Sequence, residues 1–206
     1  MKSNCIPTRL RANQNRPLRL PGNRYRAGRA DQRPDQTADE RQGDGFDQEL
    51  PDWDRVLAIN ITGQFNCVRL AVPHLRKSRN PSIINLSSIA GRLGMARRSA
   101  YSASKWAVIG FTKSLSVELG SAGIRVNSVL PGLVEGDRLR RVIEANAKTR
   151  GIDVAAAEAE FLSYVAMKKT VTPREIADAI LFLCSPRGRR ISGQAVSVCG
   201  DVQMLF

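Results

Sequence analysis

Three observations predict an α/β fold built on a doubly wound parallel sheet. Short apolar runs at 82–87, 124–130 and 195–198 are bounded by Ser, Gly and Pro, as buried parallel strands are. Longer stretches between them carry apolar residues at helical spacing. Strands that alternate with helices in this way form a parallel sheet with helices on both faces. Such sheets normally hold more than the three strands legible here, so the fold is read as N-terminally incomplete.

Residues 1–45 show no apolar period of either kind and are rich in Arg, Gln, Asn, Pro and Asp, a composition that predicts disorder. Residues 46–206 carry the pattern of a folded catalytic domain. From Pro51 the character changes. Asp52 is placed to cap a helix through Trp53, Val56, Ile59, Phe65 and Val68 towards Leu75. The strand Ser82–Ser87 follows, then a Gly-containing loop and a helix over about Ala100–Leu119, stopped by Gly120 and Gly123. Ile124–Leu130 is the second strand, closed by Pro131-Gly132. Helices are expected over about 137–150 and 153–167. Thr172, Pro173 and Glu175 read as a capped start of a helix running through Leu183, and Ala195–Val198 is the last strand.

Composition excludes several functions. A length of 206 residues suits one domain, and no apolar run approaches the ~20 residues that span a bilayer. The opening lacks the apolar stretch of a secretory signal, and a mitochondrial presequence is disfavoured by its prolines. Cys5, Cys67, Cys184 and Cys199 are far apart, which fits small core residues in a reducing, cytoplasmic setting. With His74 as the sole histidine, a His-rich metal centre or a Ser-His-Asp triad is nearly excluded, and no metal is expected. The net charge of +13 is concentrated at the start, where residues 1–30 hold eight basic and no acidic residues. Such an arm binds phosphates weakly and without base specificity, so no specific nucleic acid is expected.

Tyr101 and Lys105 lie four apart near the start of a helix and project from one face. Ser88 stands thirteen residues before Tyr101, just beyond a strand's carboxyl end, where open parallel sheets bind their ligands. A phenol beside an ammonium is a workable acid–base pair, because positive charge favours the tyrosinate. A serine hydroxyl nearby can hold a substrate oxygen. A second pair at the same spacing, Tyr164 and Lys168, has Gly151 at the serine position and follows no strand, so it is read as incidental. Trp53 and Trp106 are expected to be packing residues, and Arg98 to lie in a solvated loop rather than against an anionic substrate.

The run INLSSIAGRLGMARRSAYSASKWAVIGFTKSLSVELGSAGIRVNSVLPG, with WDRVLAINITGQF before it and VTPREIADAILFLCSP and ISGQAVSV after, closely resembles the short-chain dehydrogenase/reductase family. The resemblance implies a Rossmann-like fold and an NAD(P)-dependent oxidoreductase that interconverts a secondary alcohol and a ketone. By it, Tyr101 is the catalytic acid/base, Ser88 polarises the substrate oxygen, Lys105 supports the tyrosine and holds the nicotinamide ribose, and Asn60 supports a proton relay. Asn60, Tyr101, Lys105, Pro131, Gly132 and Val134 would line the cofactor, either NAD or NADP. The partner implied is a small alcohol or ketone, and the folded protein would be a homo-oligomer.

The resemblance has gaps. No glycine-rich T-G-x-x-x-G-x-G turn is present to bring a helix amino terminus to a diphosphate. Gly136 stands where the family often has threonine. These gaps keep an alternative open: an inactive truncated remnant that binds no cofactor and associates only with full-length subunits. The shortened sheet would also make the chain poorly stable alone.

Overall fold

The computed structural model describes residues 50–206, apart from Arg97 and Phe206. The expected boundary at 45/46, the disorder expected before it and Cys5 lie outside the described residues.

A helical rod opens this part, made of α1 (Leu50–Leu57), a π turn (Ala58–Thr62) and α2 (Gly63–Leu75). Asp52 lies within the first turn of α1 rather than capping it, where its charge still suits the helix amino end. The π turn is a departure from the single regular helix expected, because helical periodicity does not register one inserted residue. The strand β1 (Ser82–Leu86) follows, then a 3-10 turn (Ile89–Gly91) and the long helix α3 (Ser99–Gly120). Next come β2 (Arg125–Pro131), α4 (Asp137–Arg150), α5 (Val154–Ser163), α6 (Pro173–Cys184) and β3 (Ala195–Val198). The expected helix to Met167 ends earlier, at Ser163, with Tyr164 as its cap. The expected α6 start holds: Thr172 and Glu175 form a reciprocal capping box, with Pro173 in the first turn.

Among the described residues the three strands pair in parallel, in the order β1-β2-β3. The central strand β2 is buried over six consecutive residues, Arg125, Asn127 and Ser128 among them, so its polar side chains must find partners inside the protein. Successive residues of β2 serve opposite faces. Val126 joins Ile83, Val68, Leu115 and Leu119 in a core beneath α2 and α3. Arg125 points to α6, where its buried guanidinium donates to Leu183 O, to Gly188 O (3.0 Å), to Cys184 O (3.3 Å) and to Asn80 Oδ1 (3.2 Å). It thereby satisfies carbonyls that a helix carboxyl end leaves without partners. Asn127, fully buried, accepts from Gln194 N (3.0 Å) and donates to Ile191 O (2.9 Å), pinning the loop that leads into β3. A separate cluster of Ile143, Ala147, Ala157 and Phe161 joins α4 to α5.

Several expectations about packing are corrected. Trp106 is 53% exposed and Trp53 36% exposed, so neither is a core residue of the described chain. Cys67 is exposed on α2, Cys184 is half-buried, and only Cys199 of the described cysteines is buried. His74 is exposed in the last turn of α2. No helix among the described residues is long and apolar enough to cross a membrane, and no group of metal-ligating side chains is found among them.

Candidate active site

The site forms where β1 ends. Ser87 and Ser88 leave the strand, and Ser88 turns its extended backbone into the 3-10 turn, its Oγ accepting from Ala90 N at 3.2 Å. That hydroxyl keeps its proton available to donate to another group. Ser87, buried, donates to Lys105 O at 2.7 Å and so clamps the strand end to the first turns of α3. Gly91 permits this closeness. A Cβ there would come within 2.6 Å of Ser87 Oγ and 2.9 Å of Lys105 O.

Tyr101 and Lys105 stand one turn apart on α3, with Nζ of Lys105 5.5 Å from the centroid of the Tyr101 ring. The ammonium also donates to Leu86 O at 3.2 Å, at the carboxyl end of β1. Burial, and after it the Arg138 guanidinium, hold Lys105 below the ordinary lysine range. Arg98 caps α3 half-buried, and burial with Arg138 lowers its pKa, while Tyr101 acts in the opposite sense. The solvated loop expected for Arg98 is therefore not what surrounds it.

Asn60 sits in the π turn and reaches α3. Its Nδ2 donates to Ser104 Oγ at 3.0 Å, and that hydroxyl donates to Tyr101 O at 2.6 Å. The fold thus gathers Ser88, Tyr101, Lys105 and Asn60 around one strand end. Ser87, Ser104 and Gln64 support them and were not singled out from the sequence. Ser104, fully buried three residues after Tyr101, carried the only available signal, a small polar residue on an inward helix face.

The turn after β2 is the other side of the strand ends. Gly132 has a packing reason to be glycine, since a Cβ would lie 2.7 Å from Cys199 Cβ and 2.8 Å from Cys199 Cα. Val134 pairs with Val171 in a short parallel bridge. Gly136, which caps α4, has φ of 140°, a conformation that L side chains rarely adopt. Glycine therefore suits this position better than a threonine would. Of the second pair, Tyr164 caps α5 and Lys168, with φ of 53°, donates to Ser163 O.

Over residues 35–201 the chain matches the family described as enoyl-(acyl carrier protein) reductase. It is 36% identical over 151 residues to the 3-oxoacyl-acyl-carrier-protein reductase FabG of Thermotoga maritima, covering 73% of this chain and 57% of that protein. The chain belongs to the short-chain dehydrogenase/reductase family. Among solved family structures, a Francisella tularensis protein superposes with a TM-score of 0.72 at 28% identity, covering 77% of this chain and 65% of that one. A 3-oxoacyl-acyl-carrier-protein reductase of Brucella melitensis with bound NAD gives 0.64 at 34% identity, covering 77% and 54%. The chain thus spans somewhat over half the length of these relatives. Its α/β architecture and parallel sheet are those of the family's Rossmann-like fold.

The donor set at the strand ends fits the ribose–nicotinamide half of a dinucleotide. Lys105 uses one of its three N–H groups on Leu86 O, which leaves two to offer a diol.

Proposed function

We propose that this chain is the catalytic part of an NAD(P)-dependent oxidoreductase that interconverts a secondary alcohol and a ketone. The observation that carries the reading is the pairing of Lys105 with both the Tyr101 ring and the end of β1, beside Ser88. On this reading Asn60, Tyr101, Lys105, Pro131, Gly132 and Val134 hold the cofactor. When bound, the nicotinamide supplies or accepts the hydride.

The protein's own residues handle the proton. In the reducing direction Tyr101 Oη donates its proton to the carbonyl oxygen, while Ser88 Oγ donates a hydrogen bond to the same oxygen. The Lys105 ammonium stabilises the phenolate left behind. Its Nζ lies 5.5 Å from the ring centroid. Asn60 holds the first turns of α3 in place through Ser104.

Residues 46–206 are assigned as the catalytic portion. Exposed Ile59, Leu70, Trp106 and Val117 on the rod and α3 support assembly of copies through these helices. A cytoplasmic location goes with this reading. A 3-oxoacyl thioester is the first substrate to try, given the name of the T. maritima relative.

The test is titration of NADH and NADPH into the purified chain, followed by fluorescence, with folding checked on the same sample. Saturable binding that weakens in Lys105→Met is expected. A folded sample that binds neither cofactor refutes the reading.

A further inference from the structure

The mechanism leaves one polar side chain of this site without a role. Gln64, half-buried at the start of α2, donates from Nε2 to Asn60 O at 2.6 Å and to Leu86 O at 3.2 Å. Both acceptors belong to the site. Asn60 O lies within the π turn, and Leu86 O is the carbonyl that receives the Lys105 ammonium at 3.2 Å. Gln64 Oε1 is buried and accepts no hydrogen bond from the described residues. The amide is therefore oriented by its two donors. Rotated by half a turn, it would set oxygen against two carbonyl oxygens.

We propose that Gln64 is a positioning residue whose amide ties the π turn to the end of β1 and so fixes the seat of the Lys105 ammonium. This rests on the reading of Lys105 as an active-site residue. An α-helical carbonyl is normally engaged by its own helix, and the π turn is where that ladder is disturbed. Gln64 secures a carbonyl there with a side chain. Because Leu86 O is shared, one of its lone pairs goes to Gln64 and the other to Lys105. The ammonium is thus limited to one approach, towards the Tyr101 ring.

The charged and titratable groups that face Lys105 among the described residues are Tyr101 on its own helix and Arg138 at the start of α4. The π turn, the start of α2 and the end of β1 present only uncharged Asn60, Gln64 and Leu86. Removing the Gln64 donors leaves this charge set unchanged. It frees a lone pair on Leu86 O and admits water beside Nζ, and both effects favour the protonated lysine.

The experiment is titration of the Lys105 side chain by NMR in the chain without cofactor, with its signal assigned through Lys105→Arg. Gln64→Met keeps the shape and removes both donors, and the Asn60 and Leu86 carbonyl shifts report whether those bonds are lost. The expected result is a rise in the Lys105 pKa of about half a unit or more, the size expected for one net hydrogen bond. Should the Met variant not fold, Gln64→Asn, one methylene short of bridging both carbonyls, is read in the same way. A Lys105 titration unchanged while both carbonyl shifts move overturns the proposal. So do carbonyl shifts that stay in place. Because the readout needs no turnover, an inactive chain with the expected titration would refute the enzymatic reading and leave Gln64 in this role.

Discussion

Replacing Gly91 with alanine tests how the site is held together. The added Cβ would meet Ser87 Oγ at 2.6 Å, Ile109 Cδ1 at 2.9 Å and Lys105 O at 2.9 Å. Ile109 is a flexible side chain and can give way. Lys105 O is helix backbone, and Ser87 Oγ is held to it by a 2.7 Å hydrogen bond. Relief therefore requires α3 to move from the strand end or that bond to break. Overpacking of this kind costs about 1–3 kcal/mol, and a lost buried hydrogen bond adds about 1 kcal/mol. A loss of about 2–4 kcal/mol lowers Tm by roughly 5–15 °C in a chain of this size. The control is Gly110→Ala, inside α3, where an added methyl would find nothing within 4 Å. It should stabilise by about 0.5–1 kcal/mol, because glycine is the poorer helix former. Calorimetry of both variants decides the matter. A Gly91→Ala chain that melts with the parent, or both variants shifting in the same direction, would refute the packing argument.

Other predictions rest on single contacts. Arg125→Met should cost about 3 kcal/mol, since it strands the α6 carbonyls that Arg125 serves, and Arg125→Lys should recover only part of that. Urea unfolding measures it, and a loss below about 1 kcal/mol would contradict the assignment. Lys105 has a folded pKa below its unfolded value of about 10.4, so the unfolded chain binds more protons between the two. Stability relative to Lys105→Met should therefore rise with pH through that window, and a flat or falling difference would count against the half-buried ammonium. Glu175 gives the same sign in a lower pH window. Hydrogen bonds from the Thr172 backbone and then its side chain depress its pKa, so its contribution is present above the ordinary carboxylate range and lost as pH falls through the depressed value. Acid melts of Glu175→Gln against the parent should show that sign.

How much could be read beforehand differs by element. The buried strand β2 was legible from Val126, Val129 and Leu130 ahead of Pro131-Gly132, whereas the burial of its polar Arg125, Asn127 and Ser128 was not. The α6 start was legible because a capping box is a local pattern of residue types. Tyr101, Lys105 and Ser88 were visible because their spacing is set by one helix turn and one strand end. The π turn was not, since one inserted residue barely changes the hydrophobic period. Gln64 and Ser87 were equally hidden. Their partners Leu86 O and Lys105 O are backbone atoms distant in sequence, which no residue pattern encodes. Trp106 reads as core from its type alone, yet over half of it is exposed, because no described element covers that side of α3.

The proposed chemistry is tested most sharply by NADPH- or NADH-dependent reduction of a 3-oxoacyl thioester by the purified chain, with Tyr101→Phe assayed beside it. The mechanism predicts turnover in the parent and a loss of at least about a hundredfold in the variant, with cofactor binding retained, because a positioned acid typically supplies roughly 10²–10⁴-fold. Equal rates in the two proteins would contradict it.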